Sequence, residues 1–280
     1  MALESLGDIM TGMLLSHEAE QADGDYREDG LLYCGKCRTG KECRTEIMGK
    51  VFTVPCMCRC AEDAYDRKQR EFREEQRRMR IQRMKVEGIQ DDSLRNVTFD
   101  DADDSENMRK CRAFVEHWDE IYRQNTGLLM TGPVGTGKTF AAACIANALI
   151  ERGVPVLMTS FPVILGTSKY ELNDTIRQAQ EYDMIIVDDL GVERDTDYAL
   201  EIVFQFVDAR YRSGKPLIVT TNLTPQDMKK QTGLAFSRIY DRIMEMCLPM
   251  VFNGDSRRAD RRKEKYGILR EIVYGGQDDV

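Results

Sequence analysis

The sequence predicts an α/β fold: a parallel sheet covered by helices on both faces, preceded by a small cysteine-rich domain and a helical linker. Three observations carry this prediction. From about Asn96 onward, apolar runs of strand length alternate with segments of helical periodicity, the signature of parallel strands joined by crossing helices. One of those runs, GLLM (127–130), leads straight into a glycine-rich turn, GPVGTGKT (132–139). Six of the nine cysteines crowd into residues 31–60, too short a stretch to build an apolar core of its own.

The elements follow in order. Residues 1–30 are acidic and weakly amphipathic, with Leu6, Ile9, Met10, Met13 and Leu14 at helical spacing. Residues 61–90 are dense in charge and lack Pro and, until Gly88, Gly. Acid–base pairs three and four residues apart support a long exposed helix there. The basic excess falls on Arg77, Arg78, Arg80, Arg83 and Lys85. Strands are predicted at 127–130, 154–161, 184–189, 216–222 and 248–252, and helices at 139–153, 168–182, 197–214 and 234–247. Gly153 is placed to cap the first of these helices, and Leu200, Val203, Phe204 and Val207 form the apolar stripe of the third. The expected divisions are 1–60, 61–94 and 95–280.

The formal net charge is −8, which argues against a uniformly basic nucleic-acid binder and leaves room for a local basic patch. No apolar run is long enough to span a bilayer. The first twenty-one residues carry acids where a secretion signal carries bases. A cytoplasmic, reducing setting with no membrane association is therefore expected. In that setting clustered cysteines hold metal more readily than they form disulfides.

GPVGTGKT fits the pattern G-x-x-x-x-G-K-[ST]. Gly132, Pro133, Val134, Gly135, Thr136, Gly137 and Lys138 form a loop whose backbone N–H groups can turn inward around phosphate oxygens. Lys138 supplies a point charge for the β- and γ-phosphates, and Thr139 a hydroxyl for Mg²⁺. The helix running on through Phe140 aims its positive end at the anion. A second half-site is MIIVDDLG (184–191), a buried strand ending in two acids. Asp188 is placed for Mg²⁺ and its water shell, and Asp189 for the attacking water. Asn222, at the end of IVTTN (218–222), can reach the γ-phosphate or that water, with Thr220 and Thr221 as alternates. ATP and Mg²⁺ are the expected ligands.

Among the cysteines, CGKC (34–37) and CMCRC (56–60) bracket the frame of a four-coordinate structural Zn²⁺ site. Cys34 and Cys37 form one pair. Cys58, with Cys56 or Cys60, completes the set, and Cys43 could substitute. An iron–sulfur cluster is the competing use of these thiols. Cys111, Cys144 and Cys247 are expected to be buried as small apolar residues.

GPVGTGKT, IIVDDLG, IVTTN, SRIYDRI (237–243) and GDSRR (254–258), in this order, resemble the AAA+ ATPases. Within them the chain is similar to helicase loaders of the DnaC/DnaI type, with IstB-type transposition helper ATPases as near cousins. The resemblance covers roughly 95–265 and extends to the cysteine segment, since several such loaders carry an N-terminal zinc-binding segment. It implies a P-loop AAA+ core that loads a hexameric replicative DNA helicase onto single-stranded DNA. It implies Asn222 as the sensor of the γ-phosphate and Arg258 as a basic residue near the phosphates. It also implies self-association, in which Arg242, or Arg238 one turn earlier, reaches a neighbouring subunit's ATP. Asp189 stands where such sites often have the longer Glu, so slow hydrolysis is expected. In related ATPases the region after the second core strand faces DNA, which makes Phe161, Lys169 and Tyr170 candidate contacts, with 257–265 as a second basic candidate. The N-terminal residues 1–60 are expected to grip the helicase. A transposition helper, and a nucleotide-binding adaptor with little hydrolysis, are the alternatives.

Overall fold

The structure is a computed structural model and describes residues 19–47, 49–168, 170–191, 197–230, 234–254 and 256, with the pairs 266–267, 269–270 and 272–273. Residues 1–18 of the amphipathic stretch read at 1–30, Lys169, Arg258 and the basic run 257–265 lie outside the described residues. The chain divides into two compact units between Met79 and Arg80.

The first unit is built from two hairpins that the sequence reading did not separate. Strands β1 (Tyr26–Glu28) and β2 (Leu31–Tyr33) pair antiparallel across Asp29 and Gly30, both at positive φ, as a tight hairpin turn of matching twist requires. Strands β3 (Glu42–Ile47) and β4 (Lys50–Pro55) form the second hairpin. Neither shows a long apolar alternation, which is why both escaped prediction. Few of the described residues here are buried: Leu32, Cys34, Glu42 and Cys58. The Glu42 carboxylate accepts the Leu32 N–H at 2.9 Å and pairs with Arg27 at 3.1 Å. Asp25 holds Lys41 at 2.6 Å. That ammonium, with the Gly35 and Ala22 N–H groups, lowers the Asp25 pKa to about 2. Helix α1 (Arg59–Gly88) follows, two residues earlier at each end than the charge-dense run 61–90 suggested.

The second unit carries one sheet of five parallel strands: β5 (Gly127–Thr131), β6 (Val156–Ser160), β7 (Met184–Leu190), β8 (Leu217–Thr221) and β9 (Cys247–Val251), in the spatial order β6-β7-β8-β5-β9. The expected parallel α/β sheet is thus present. Alternation of side chains across it feeds two cores. Leu128, Met130, Met158, Ile186 and Ile218 face α2 (Glu106–Glu116), α3 (Trp118–Arg123) and α4 (Lys138–Glu151). Leu129, Leu157, Ile185, Val187 and Val219 face the opposite layer. That layer holds α5 (Phe161–Gly166), α6 (Leu172–Glu181), α7 (Asp197–Ser213) and α9 (Leu234–Met246). A short helix, α8 (Pro225–Lys230), follows β8.

Gly153 ends α4 as expected: its φ is 84° and the Val154 N–H reaches back to the Leu149 carbonyl at 3.0 Å. Gly127 answers a close approach, since a β-carbon there would lie 1.7 Å from the Leu217 carbonyl oxygen. Helices α2 and α3 were not individually predicted, and two readings need correction. The strand predicted to run to 161 stops at Ser160. There the side chain accepts the Val163 N–H and starts α5. Phe161 is fully buried, edge-on to Phe206, so it is a core residue and offers no stacking platform for DNA. In α7 the expected stripe holds: Leu200, Val203 and Val207 are in the core with Phe206 beside them, and Phe204 packs half-buried against it beneath Arg242. Cys111, Cys144 and Cys247 are buried, Cys247 as the first residue of β9.

Candidate functional site

The glycine turn leaves β5 at its C-terminal end, where parallel sheets leave room for ligands. Gly132, Gly135 and Gly137 all have positive φ. At Gly132 a β-carbon would lie 2.1 Å from the Phe252 carbonyl, and at Gly135 it would strike Ser256. Lys138 is buried at the start of α4, and its ammonium donates to the carbonyls of Gly132 and Pro133, both at 2.8 Å. Its third bond goes to Asn222 Oδ1 at 2.9 Å, so β5 and β8 bring together two residues eighty-four positions apart. Thr136 folds its hydroxyl onto the Pro133 carbonyl at 2.9 Å. Val134 is exposed, and Phe140 packs half-buried against the core.

The Thr139 hydroxyl donates to both carboxylate oxygens of Asp188, at 2.9 and 3.0 Å. A carboxylate and a hydroxyl at the positive end of a helix are hard oxygen donors of the kind Mg²⁺ takes. Burial raises the pKa of Asp188, with Asp189 adding to the rise. Hydrogen bonds from Thr220 and Thr139 and the charge of Lys138 oppose it. Asp188, Asp189 and Thr139 line a cleft of about 340 Å³. Its other walls include Gln90, Asp91, Thr159 and Ser160. The Thr159 hydroxyl donates to Gln90 Oε1 at 2.7 Å, and Ile89 bridges to Met158. No local motif marks Gln90 or Asp91, which reach the cleft only because the end of α1 joins the sheet edge.

The two arginines of SRIYDRI are held differently. Arg242 pairs with Asp208 at 2.6 Å and stacks over Phe204 and Tyr211, with its guanidinium carbon 4.6 and 5.6 Å from the ring centres. Arg238 is exposed. Tyr170 is almost fully exposed, at 95%.

In the first unit the sulfurs of Cys34, Cys37, Cys58 and Cys60 lie within 4.8 Å of one another. Cys56 is outside this group and turns its thiol toward the Gly40 carbonyl at 3.5 Å. The Arg38 N–H donates to the Cys34 carbonyl at 2.9 Å and closes the first knuckle. The Thr39 hydroxyl, the Cys60 N–H and the Thr39 N–H lower the Cys37 pKa to about 5. The neighbouring Cys37 thiolate pushes Cys60 up to about 12. Four thiols this close repel as thiolates, and a divalent cation reverses that balance. The set suits a tetrahedral, sulfur-loving ion such as Zn²⁺.

The sequence profile of the IstB-like ATP binding protein family matches residues 60–265. The chain belongs to this family. Among curated proteins, this IstB-like chain is 31% identical over 170 residues to the replicative helicase loader DnaC of Escherichia coli K12, covering 57% of this chain and 66% of that protein. It is 26% identical over 196 residues to the replicative helicase loader DnaI of Bacillus subtilis, covering 62% of each. The match to each relative thus spans just under two thirds of its length. A crystal structure of DnaI aligns with a TM-score of 0.51 at 22% identity, over 59% of this chain and 96% of that one, and so shares the fold. Among the described residues no helix is long and apolar enough to cross a membrane.

Proposed function

We propose that this chain is an ATP-dependent loader that places a hexameric replicative DNA helicase on single-stranded DNA. One observation supports the reading: the match to curated replicative helicase loaders coincides with the convergence of Lys138 on Asn222 and of Thr139 on Asp188 at the end of the sheet. In this reading the glycine turn and Lys138 hold the phosphates of ATP, while Thr139 and Asp188 hold Mg²⁺. Asp189 orients the attacking water and Asn222 senses the γ-phosphate. The bound ion polarises the phosphoryl oxygens; the positioning comes from these side chains. The short Asp189 side chain makes hydrolysis slow, suited to a switch. The protein works in the cytoplasm. Residues 1–60, closed around zinc, contact the helicase. Residues 61–94 tether them to the ATPase domain at 95–280.

The test is co-purification of the full chain with hexameric replicative helicases, with and without ATP. The expected result is an ATP-dependent complex that Lys138→Ala loses, together with a loss of at least about tenfold in ATP affinity by calorimetry. Capture of a transposase in place of a helicase would instead make this a transposition helper. Identical nucleotide binding by wild type and Lys138→Ala would overturn both readings.

Self-association completes the site in trans through one arginine. Arg238 is exposed, whereas Arg242 is committed in cis to Asp208 and two rings, and this supports Arg238. Mixing experiments decide it. Arg238→Ala chains should fail to stimulate hydrolysis by wild-type sites, lowering turnover about 100-fold or more, while their own nucleotide affinity stays intact. Arg242→Ala should chiefly lower the melting temperature. The reverse pattern would assign the trans role to Arg242.

A further inference from the structure

The two acids of β7 share a place that regular strand geometry forbids. Consecutive residues of a strand point to opposite faces, yet Asp188 and Asp189 both line the cleft beside Thr139. The register between β7 and β8 slips between Val187 and Leu190, as at a bulge that re-aims a side chain. Asp189 itself has a φ of 59°, a left-handed conformation that costs a residue with a β-carbon, though Asp less than most, and that turns its side chain out of the strand alternation.

Thr220 on β8 bonds to both acids at this bend. Its side chain is fully buried. Its hydroxyl accepts the Asp189 N–H at 3.1 Å and donates to the Asp188 carboxylate. One oxygen therefore pins the backbone of one acid and the carboxylate of the other. We propose that Thr220 is a positioning residue that sets the magnesium-binding acid and the water-orienting acid side by side in one cleft. This rests on the ATPase reading of the site. The neighbouring Thr221 hydroxyl has a different task, since it donates to the Leu190 carbonyl at 2.7 Å and receives the Leu223 N–H at 3.1 Å.

Valine fills the same volume without the hydroxyl, and serine keeps the hydroxyl without the methyl. The full chain is compared as wild type, Thr220→Val and Thr220→Ser. Three readouts are taken: fluorescent ADP binding without metal, the Mg²⁺ dependence of ATP hydrolysis, and the melting temperature. Metal-free ADP affinity should stay within about twofold in Thr220→Val, because the Thr220 hydroxyl is engaged by the Asp189 N–H and the Asp188 carboxylate. The Mg²⁺ concentration for half-maximal activity should rise about tenfold and kcat should fall about tenfold, the scale of one buried hydrogen bond to a charged group. Thr220→Ser should recover most of both. Wild-type Mg²⁺ dependence and kcat in Thr220→Val would overturn the proposal. So would a loss of ADP binding that tracks the melting temperature, which marks a folding role. A wild type that binds no nucleotide overturns the ATPase reading itself, and this inference with it.

Discussion

Arg210→Met should destabilise the ATPase unit by roughly 3–5 kcal/mol, a large share of the 5–15 kcal/mol that holds a typical domain together. Arg210 is fully buried. Its guanidinium donates to the carbonyls of Ala179, Tyr182, Asp183 and Pro216. These bonds tie α7 to the end of α6, to the turn between α6 and β7, and to the residue before β8. Burial pulls its pKa down to about 9, so it remains charged at neutral pH. Methionine fills much of the volume but leaves four buried carbonyl groups short of a donor, and an unsatisfied buried polar group costs about 1–3 kcal/mol before the surroundings relax. Lysine should recover only part, because an ammonium cannot reproduce the planar fork. Urea denaturation followed by Trp118, the single tryptophan, measures this. Trp118 is buried between Phe114 and Tyr122 in the same unit. A midpoint for Arg210→Met within experimental error of wild type would refute the argument.

Removing the metal from the thiol cluster should unfold the first unit and leave the second intact. Among the described residues of this unit Leu32, Cys34, Glu42 and Cys58 are buried, far too little apolar area to offset the ordering of the chain. A structural zinc contributes on the order of 10–16 kcal/mol in comparably small modules. The purified chain should hold one zinc per molecule. Cys58→Ser should lose it, together with the dispersed amide signals of residues 19–58, and Cys56→Ser should keep both. Protons compete with metal for thiolates, so metal affinity should fall as pH falls. Metal content and amide dispersion unchanged in Cys58→Ser would exclude the site. Two iron atoms or more per chain would assign the cluster to iron and sulfur.

Some of this was legible in the sequence because the features are contiguous. GPVGTGKT encodes its own turn: glycines supply the positive φ values and the next residues start a helix. The strand 184–189 and the helix 197–214 announced themselves by uninterrupted or periodic apolar residues. Cys34 and Cys37 form a knuckle from adjacent positions. The third and fourth sulfurs were ambiguous for a physical reason. Were 56–60 fully extended, Cys56, Cys58 and Cys60 would share one face. Helix α1 begins at Arg59 and breaks that equivalence, grouping Cys60 with Cys58 and leaving Cys56 aside.

By itself, then, the sequence determined the parallel α/β core, the phosphate loop and the cysteine-rich module, since each is written in neighbouring residues whose conformational preferences are local. Only the tertiary structure decided that Phe161 is core, that Arg242 is held by Asp208, and that Arg210 bolts three segments together. It alone showed one Thr220 hydroxyl bonded to both Asp188 and Asp189. Those outcomes depend on which strands lie side by side and in what register. That is set by burying two apolar faces of a single sheet at once, and no window of adjacent residues contains it.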